Sequence, residues 1–67
     1  MSILKVIEVM SQSNSSWEDA TQNAVSEASK TLKNIRSAYV KEQSAHVVDG
    51  KITEYRVNVK LTFEIEH

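Results

Sequence analysis

The sequence predicts an α+β domain in the order β-α-β-β, with one amphipathic helix packed on a curved three-stranded antiparallel sheet. Three observations support this fold class: an apolar segment near the start, apolar residues at helical spacing in the middle, and a long alternating segment at the end. A chain of 67 residues is the size of one small domain, so residues 1–67 are treated as a single unit.

The composition argues against several classes of protein. Eight Lys and Arg are interspersed with nine Asp and Glu, so no basic surface for nucleic acid is expected. Lys5 and Glu8 interrupt the apolar segment, which argues against a membrane span or a signal-peptide core. The chain has no Cys and only two His, so disulfides are absent and a zinc site is not expected. We therefore expect a cytoplasmic protein without nucleic-acid or membrane partners, in which oligomerisation supplements a small core.

The first strand is predicted at residues 2–10, SILKVIEVM, because this segment is rich in Ile, Val and Leu. Neither of its alternating faces is cleanly polar, so apolar contacts are expected on both sides. The polar segment 11–16, SQSNSS, is predicted to be a loop, since its short side chains compete for backbone hydrogen bonds.

A helix of roughly five turns is predicted next, ending near Lys33. Ser15 with Glu18, or Ser16 with Asp19, has the spacing of a capping box at its start. Steps of three and four residues connect the apolar positions Trp17, Ala20, Ala24, Val25, Ala28, Leu32 and Ile35. The pattern therefore predicts a helix with one apolar side, and Trp17 is expected to be a core residue rather than a ligand-stacking ring.

Two further strands are predicted around the hairpin signal Asp49-Gly50: the second from Ser37 to Val47 and the third over residues 51–66. The third strand alternates without a fault between apolar residues (Tyr55, Val57, Val59, Leu61, Phe63, Ile65) and polar residues (Glu54, Arg56, Asn58, Lys60, Thr62, Glu64, Glu66). A compact chain of this length has a diameter of roughly 28 Å, whereas such a strand extends ~50 Å. The strand must therefore curve, or project beyond its own subunit, and its uncovered residues require neighbouring subunits.

The sequence offers little support for catalysis. His46 lies near the hairpin and has no Cys to pair with, and no local nucleophile signature accompanies it. A single Gly excludes a Gly-rich phosphate loop, and the spacing of the acidic residues does not match a calcium loop. These observations leave room for a weak cation site between subunits.

The order of the segments KVIEV, SWEDA, NAVSEASKTL, NIRSAYVKEQ and EYRVNVKLTFEIE resembles the dodecins over essentially the whole chain. This resemblance implies a homododecamer that forms a hollow shell and has no enzymatic activity. Many dodecins store or sequester flavins, and some hold coenzyme A. The polar side chains of the third strand are then expected to face the interior or the seams of the shell.

The resemblance also indicates three candidate ligand-binding residues: Ser37, Glu42 and Arg56. Flavin-binding members carry a stacking Trp at the position of Ser37 and a Gln that reads the ring edge at the position of Arg56. Glu42 lies where some members place an acid near the ribityl chain. Loss of an aromatic platform removes ~1–3 kcal/mol of stacking by analogy with nucleic-acid bases, so this chain departs from the flavin-binding pattern.

The resemblance to the dodecins, together with Ser37 and Arg56 in place of the family's Trp and Gln, suggests two functions. The first is storage of a small ligand, either a flavin (FMN or riboflavin) or an anionic cofactor such as coenzyme A held by Arg56, Lys60 or Lys41. The alternative is a flavin-free cage that binds a divalent cation such as calcium at subunit interfaces, with its metal ligands not identified by the sequence.

Overall fold

Three strands and one helix make up the computed structural model, which describes residues 2–65. Strand β1 spans Leu4–Ser13, helix α1 spans Trp17–Ala28, β2 spans Ile35–Val48 and β3 spans Lys51–Glu64. The sheet order is β1-β3-β2, and both strand pairs are antiparallel. The predicted α+β class and the β-α-β-β order are confirmed.

The helix begins at the second of the two predicted capping positions. Ser16 is the N-cap, and its Oγ accepts a hydrogen bond of 2.9 Å from the backbone N–H of Asp19. The Asp19 carboxylate does not return to the N-cap as in a capping box; it accepts a hydrogen bond of 2.6 Å from the Ser13 hydroxyl. The same Ser13 Oγ accepts from the Ser15 N–H at 2.9 Å. The buried Ser13 therefore joins the end of β1 to the start of α1.

The predicted end of the helix near Lys33 is wrong, because α1 ends at Ala28. The Ser29 hydroxyl donates to the Val25 carbonyl at 2.7 Å, and the following N–H groups of Lys30 and Thr31 bond three residues back, which tightens the turn. Leu32 and Ile35 continue the helical spacing in sequence, but Ile35 already pairs with Phe63 in the sheet. Strand pairing thus overrides the helical periodicity here.

The predicted boundary of the first strand is also wrong, since β1 continues to Ser13. Gln12 pairs with Arg56 and Ser13 pairs with Tyr55, so part of the supposed loop belongs to the ladder. These polar side chains are tolerated because they hydrogen-bond to α1 and to β3.

The core lies between α1 and the apolar side of β3. Its buried members are Ala20, Ala24, Val57, Val59 and Leu61. Trp17 packs against this cluster, makes an edge-on contact with Tyr55 at a centroid distance of 4.9 Å, and donates its Nε1–H to the Ser44 carbonyl at 2.9 Å. Trp17 therefore packs against the core as predicted, although its side chain is only partly buried.

A hairpin arm, defined as residues 46–54, extends beyond the rest of the sheet. Because β1 ends opposite Tyr55, strands β2 and β3 pair only with each other in this arm. Asp49 and Gly50 both have positive φ, 51° and 75°, as a two-residue type I′ turn requires. The molecule measures 52 × 20 × 13 Å, which confirms that the long strand projects. Glu66, the predicted end of the third strand, lies outside the described residues, as does His67.

Three register shifts interrupt the pairing of β2 with β3: between Ile35 and Ser37, between Val40 and Glu42, and between His46 and Val47. Such bulges bend a strand and increase its twist. They supply the local deviations that a curved sheet requires.

Candidate functional site on the open face of the sheet

The face of the sheet turned away from α1, called the open face here, carries the predicted site residues. Paired residues of adjacent strands share a face, and Val57, Val59 and Leu61 lie under the helix with no exposed surface. The alternate residues of β3 and their partners therefore form the open face: Glu54, Arg56, Asn58, Lys60, Thr62 and Glu64 of β3, with Leu4, Val6, Glu8, Met10 and Gln12 of β1 and Ser37, Tyr39, Glu42, Ser44 and His46 of β2.

The structure brings Glu42 and Arg56 to neighbouring positions but leaves Ser37 far away. Glu42 pairs with Asn58, two residues along β3 from Arg56. Ser37 pairs with Thr62, six residues from Arg56, which corresponds to roughly 20 Å along the strand. A compact ligand that contacts both ends must therefore meet Ser37 of one copy and Arg56 of another.

Gln12 is a residue of this face that sequence reasoning missed. Its Oε1 accepts hydrogen bonds from Nε and Nη2 of Arg56 at 3.0 and 2.7 Å. Arg has only donors, so the side-chain oxygen of Gln12 is the group turned towards it and the Gln12 amide N–H groups remain available. The signal in the sequence was the continuation of the β1 alternation past Met10, which the Ser-rich composition hid.

One buried polar side-chain atom of the open face has no hydrogen-bond partner within the described residues. The side-chain Oδ1 of Asn58 is buried and accepts no hydrogen bond. Asn58 lies between Met10 of β1 and Glu42 of β2. Because an unsatisfied buried oxygen costs free energy, this position calls for a donor from water, a ligand or another copy of the chain.

The carboxylates fall into two groups. Asp19 is held by the Ser13 hydroxyl, and Glu8, Glu27 and Glu64 form ion pairs with Lys41, Lys30 and Arg36 at 3.6, 2.9 and 3.1 Å. Within residues 2–65, the remaining carboxylates have no side-chain partner: Glu18, Glu42, Asp49 and Glu54. Of these, Glu42 and Glu54 lie on the open face.

The side chains of a single chain do not assemble a metal site in the described region. Residues 2–65 contain no cluster of three or more His, Cys, Asp or Glu side chains that could hold an ion. Calcium takes six to eight oxygen ligands. A calcium site in this protein would thus use carbonyl oxygens, water or carboxylates of a second copy in addition to its own acidic side chains.

The open face also exposes large apolar side chains beside its polar row. Leu4, Val6 and Met10 along β1 and Tyr39 on β2 are each more than half exposed. Exposed apolar side chains grouped in this way are typical of interaction surfaces. Within residues 2–65, no helix combines the length and hydrophobicity needed to cross a membrane.

A family model of dodecins matches residues 3–66 of the chain. The calcium dodecin of Mycobacterium tuberculosis is 41% identical over 66 residues, which cover 97% of this chain and 92% of that protein.

The fold is similar to two solved dodecins. The dodecin from Streptomyces coelicolor matches with a TM-score of 0.92 and 30% identity over 98% of this chain and 94% of its own. The M. tuberculosis calcium dodecin, described as a calcium-chelating antigen with a novel calcium-binding site, matches with a TM-score of 0.82 and 37% identity over 96% of this chain and 91% of its own.

Proposed function

Because the chain belongs to the dodecin family, we propose that it assembles into a homododecameric shell that binds calcium at the seams between subunits. The observation that carries the choice of calcium is the 41% identity to a calcium dodecin over 97% of the chain. The location within the cell, predicted to be cytoplasmic, and the absence of enzymatic activity stay predictions.

Assembly is supported by the surface of the isolated chain. The chain exposes 4943 Å², whereas a compact monomer of this mass exposes about 4300 Å². The difference of roughly 600 Å² approaches the surface that one subunit buries in a standard protein interface. The exposed apolar residues of the open face and of the arm account for where such contacts would form.

Calcium binding is supported by the two free carboxylates of the open face, Glu42 and Glu54. Neither has an ion-pair partner among residues 2–65. Carboxylates from two copies facing each other would repel one another unless a cation lies between them. Calcium would satisfy both copies with the oxygen ligands it prefers.

Flavin is disfavoured by the chemistry at Ser37 and Arg56. Ser37 has no ring on which an isoalloxazine could stack. The imide edge of a flavin presents acceptor, donor and acceptor in sequence, and a Gln amide can answer with one donor and one acceptor. Arg56 supplies only donors, and the nearby amide oxygen of Gln12 is already occupied by Arg56.

The test begins with light scattering on a sizing column, with the absorbance spectrum recorded across the same peak. We expect a dodecamer without flavin absorbance; a monomer or dimer would contradict the assembly. Calorimetric titration with calcium should then show binding that Glu42→Gln weakens at least tenfold. Glu18→Gln removes an exposed carboxylate of the helix and should leave the affinity unchanged. Equal affinities for these two variants would remove Glu42 from the site.

An anionic small ligand is the second candidate, because Arg56 and the Gln12 amide present only donors to the open face. Titration with FMN and with riboflavin separates this candidate from flavin-ring recognition, since the two differ by a phosphate. Binding of FMN but not riboflavin would favour the anionic ligand.

Ser37→Trp restores the stacking ring and should raise the affinity for both flavins; no gain would show that Arg56 or the shape of the site excludes them.

A further inference from the structure

The hairpin arm carries an apolar pair that its own subunit does not cover. Val47 and Ile52 pair directly across the arm, and 56% and 50% of their surfaces are exposed. Neither β1 nor α1 reaches this part of the sheet, because β1 ends opposite Tyr55. The pair, called the knob here, is an exposed apolar patch on the arm of an elongated molecule.

A concave apolar surface lies elsewhere on the same chain. A groove of about 450 Å³ separates α1 from the outer edge of β1. Its apolar lining includes Ile7, Val9, Ala24, Ala28 and Leu32. Strand β1 is an edge of the sheet in the described structure, so its outer backbone groups lack strand partners there, and such an edge needs cover.

We propose that the Val47–Ile52 knob of one copy docks in the α1–β1 groove of a second copy. This inference rests on the proposed assembly and specifies one of its contacts. The arm extends beyond the end of β1 in a molecule 52 Å long, and the groove is an apolar concavity beside α1. The knob cannot be buried in the groove of its own chain, since the arm extends away from that groove. The two apolar surfaces can therefore cover each other only when they belong to different copies.

The charges of the two surfaces are compatible. The tip of the arm has Asp49 close to Lys51, and the rim of the groove has Glu27 in an exposed ion pair with Lys30. Lys51 lies on the opposite face of the hairpin from the knob, and Lys30 already pairs with Glu27, so charge neither selects nor opposes the contact and the apolar surfaces carry it. The contact joins two different surfaces, so it is heterologous, and repetition of such a contact closes a ring when the rotation allows.

Cysteine cross-linking tests this contact on a clean background, because the chain has no Cys. The double variant Ile52→Cys/Thr31→Cys places one thiol on the knob and one at the rim of the groove. With a short bismaleimide, we expect a ladder of covalent dimers and larger species. Ile52→Cys/Gln22→Cys is the matched control, because Gln22 lies on the other side of α1, beside Trp17 and Val40, and should give no ladder.

Three outcomes would overturn the proposal. Absence of the ladder in an assembled protein would show that the knob contacts another surface. Dimers formed by Ile52→Cys alone would show that arms meet arms. A monomeric unmodified protein would overturn both this contact and the proposed shell, so the two failures are distinguishable.

A second measurement does not depend on cross-linking geometry. Ile52→Gln should shift the sizing profile towards smaller species, whereas Lys51→Gln should not. Lys51 pairs with Val48 in the next position of the hairpin, so its side chain lies on the opposite face from the knob. Equal shifts for the two variants would contradict the proposal.

Discussion

The part of β3 under the helix and the part in the arm have similar sequences but opposite environments. Val57, Val59 and Leu61 have no exposed surface, whereas Ile52 of the same strand is half exposed. The difference follows from length: the 12 residues of α1 extend ~18 Å, but the 14 residues of β3 extend about 47 Å. The alternating pattern of a strand thus identifies the residues that must be buried. It does not show whether the same subunit or a neighbouring one buries them.

The largest expected effect is in the covered part. Leu61→Ala should cost ~2–5 kcal/mol of unfolding free energy, because it removes a fully buried side chain and leaves a cavity. In an isolated subunit, Ile52→Ala should cost only about 1 kcal/mol, since half of that side chain is already in water. Urea unfolding of both variants at one fixed subunit concentration makes the comparison, because assembly is linked to stability. A cost for Ile52→Ala close to that for Leu61→Ala would mean that a neighbour covers the arm.

The junction between β1 and α1 should show the next largest effect. Ser13→Ala removes the hydroxyl that bonds the Asp19 carboxylate and the Ser15 N–H, and the cost expected for the groups left unpaired is about 1–3 kcal/mol. Ser15→Ala is the control, because the exposed Ser15 hydroxyl donates only a long hydrogen bond of 3.4 Å to Asn14 Oδ1; it should change stability by less than about 0.5 kcal/mol. Equal losses of unfolding free energy would contradict the role assigned to Ser13.

The sequence predicted the order of elements, the hairpin turn and the projecting strand, because these depend on local periodicity and on length. It did not predict that β1 extends to Ser13 or that α1 ends at Ala28. The end of α1 is decided by the tightened turn that follows it, and the end of β1 is decided by pairing with β3. Gln12 was missed for the same reason: its contact with Arg56 joins residues 44 apart in the chain. Ser37 and Arg56 were correctly placed in strands, but only the register reveals the distance between them.

The turn of the arm should be sensitive to a smaller change. Gly50 has a φ of +75°, a conformation in which an L side chain costs ~1–2 kcal/mol. A Cβ added there would meet no atom within 4 Å, so the loss from Gly50→Ala comes from backbone strain and not from a steric clash. Thermal unfolding should show this loss, with Gly50→Asn less affected because Asn tolerates positive φ. If the two variants lost the same stability, the left-handed turn would not be the cause.

The smallest effect is expected at the ion pair between Glu8 and Lys41 on the open face. Both side chains are more than 40% exposed in the single chain, at an Nζ to Oε2 distance of 3.6 Å, and exposed pairs contribute only ~0–1 kcal/mol. Glu8→Gln should therefore lower the unfolding free energy by less than about 1 kcal/mol, and added salt should reduce the difference further. A larger, salt-insensitive loss would mean that a second copy covers the pair, because removing one member of a buried pair strands the other charge. The open face would then resemble the covered part of β3, with a neighbouring subunit in the place that α1 takes on the other side.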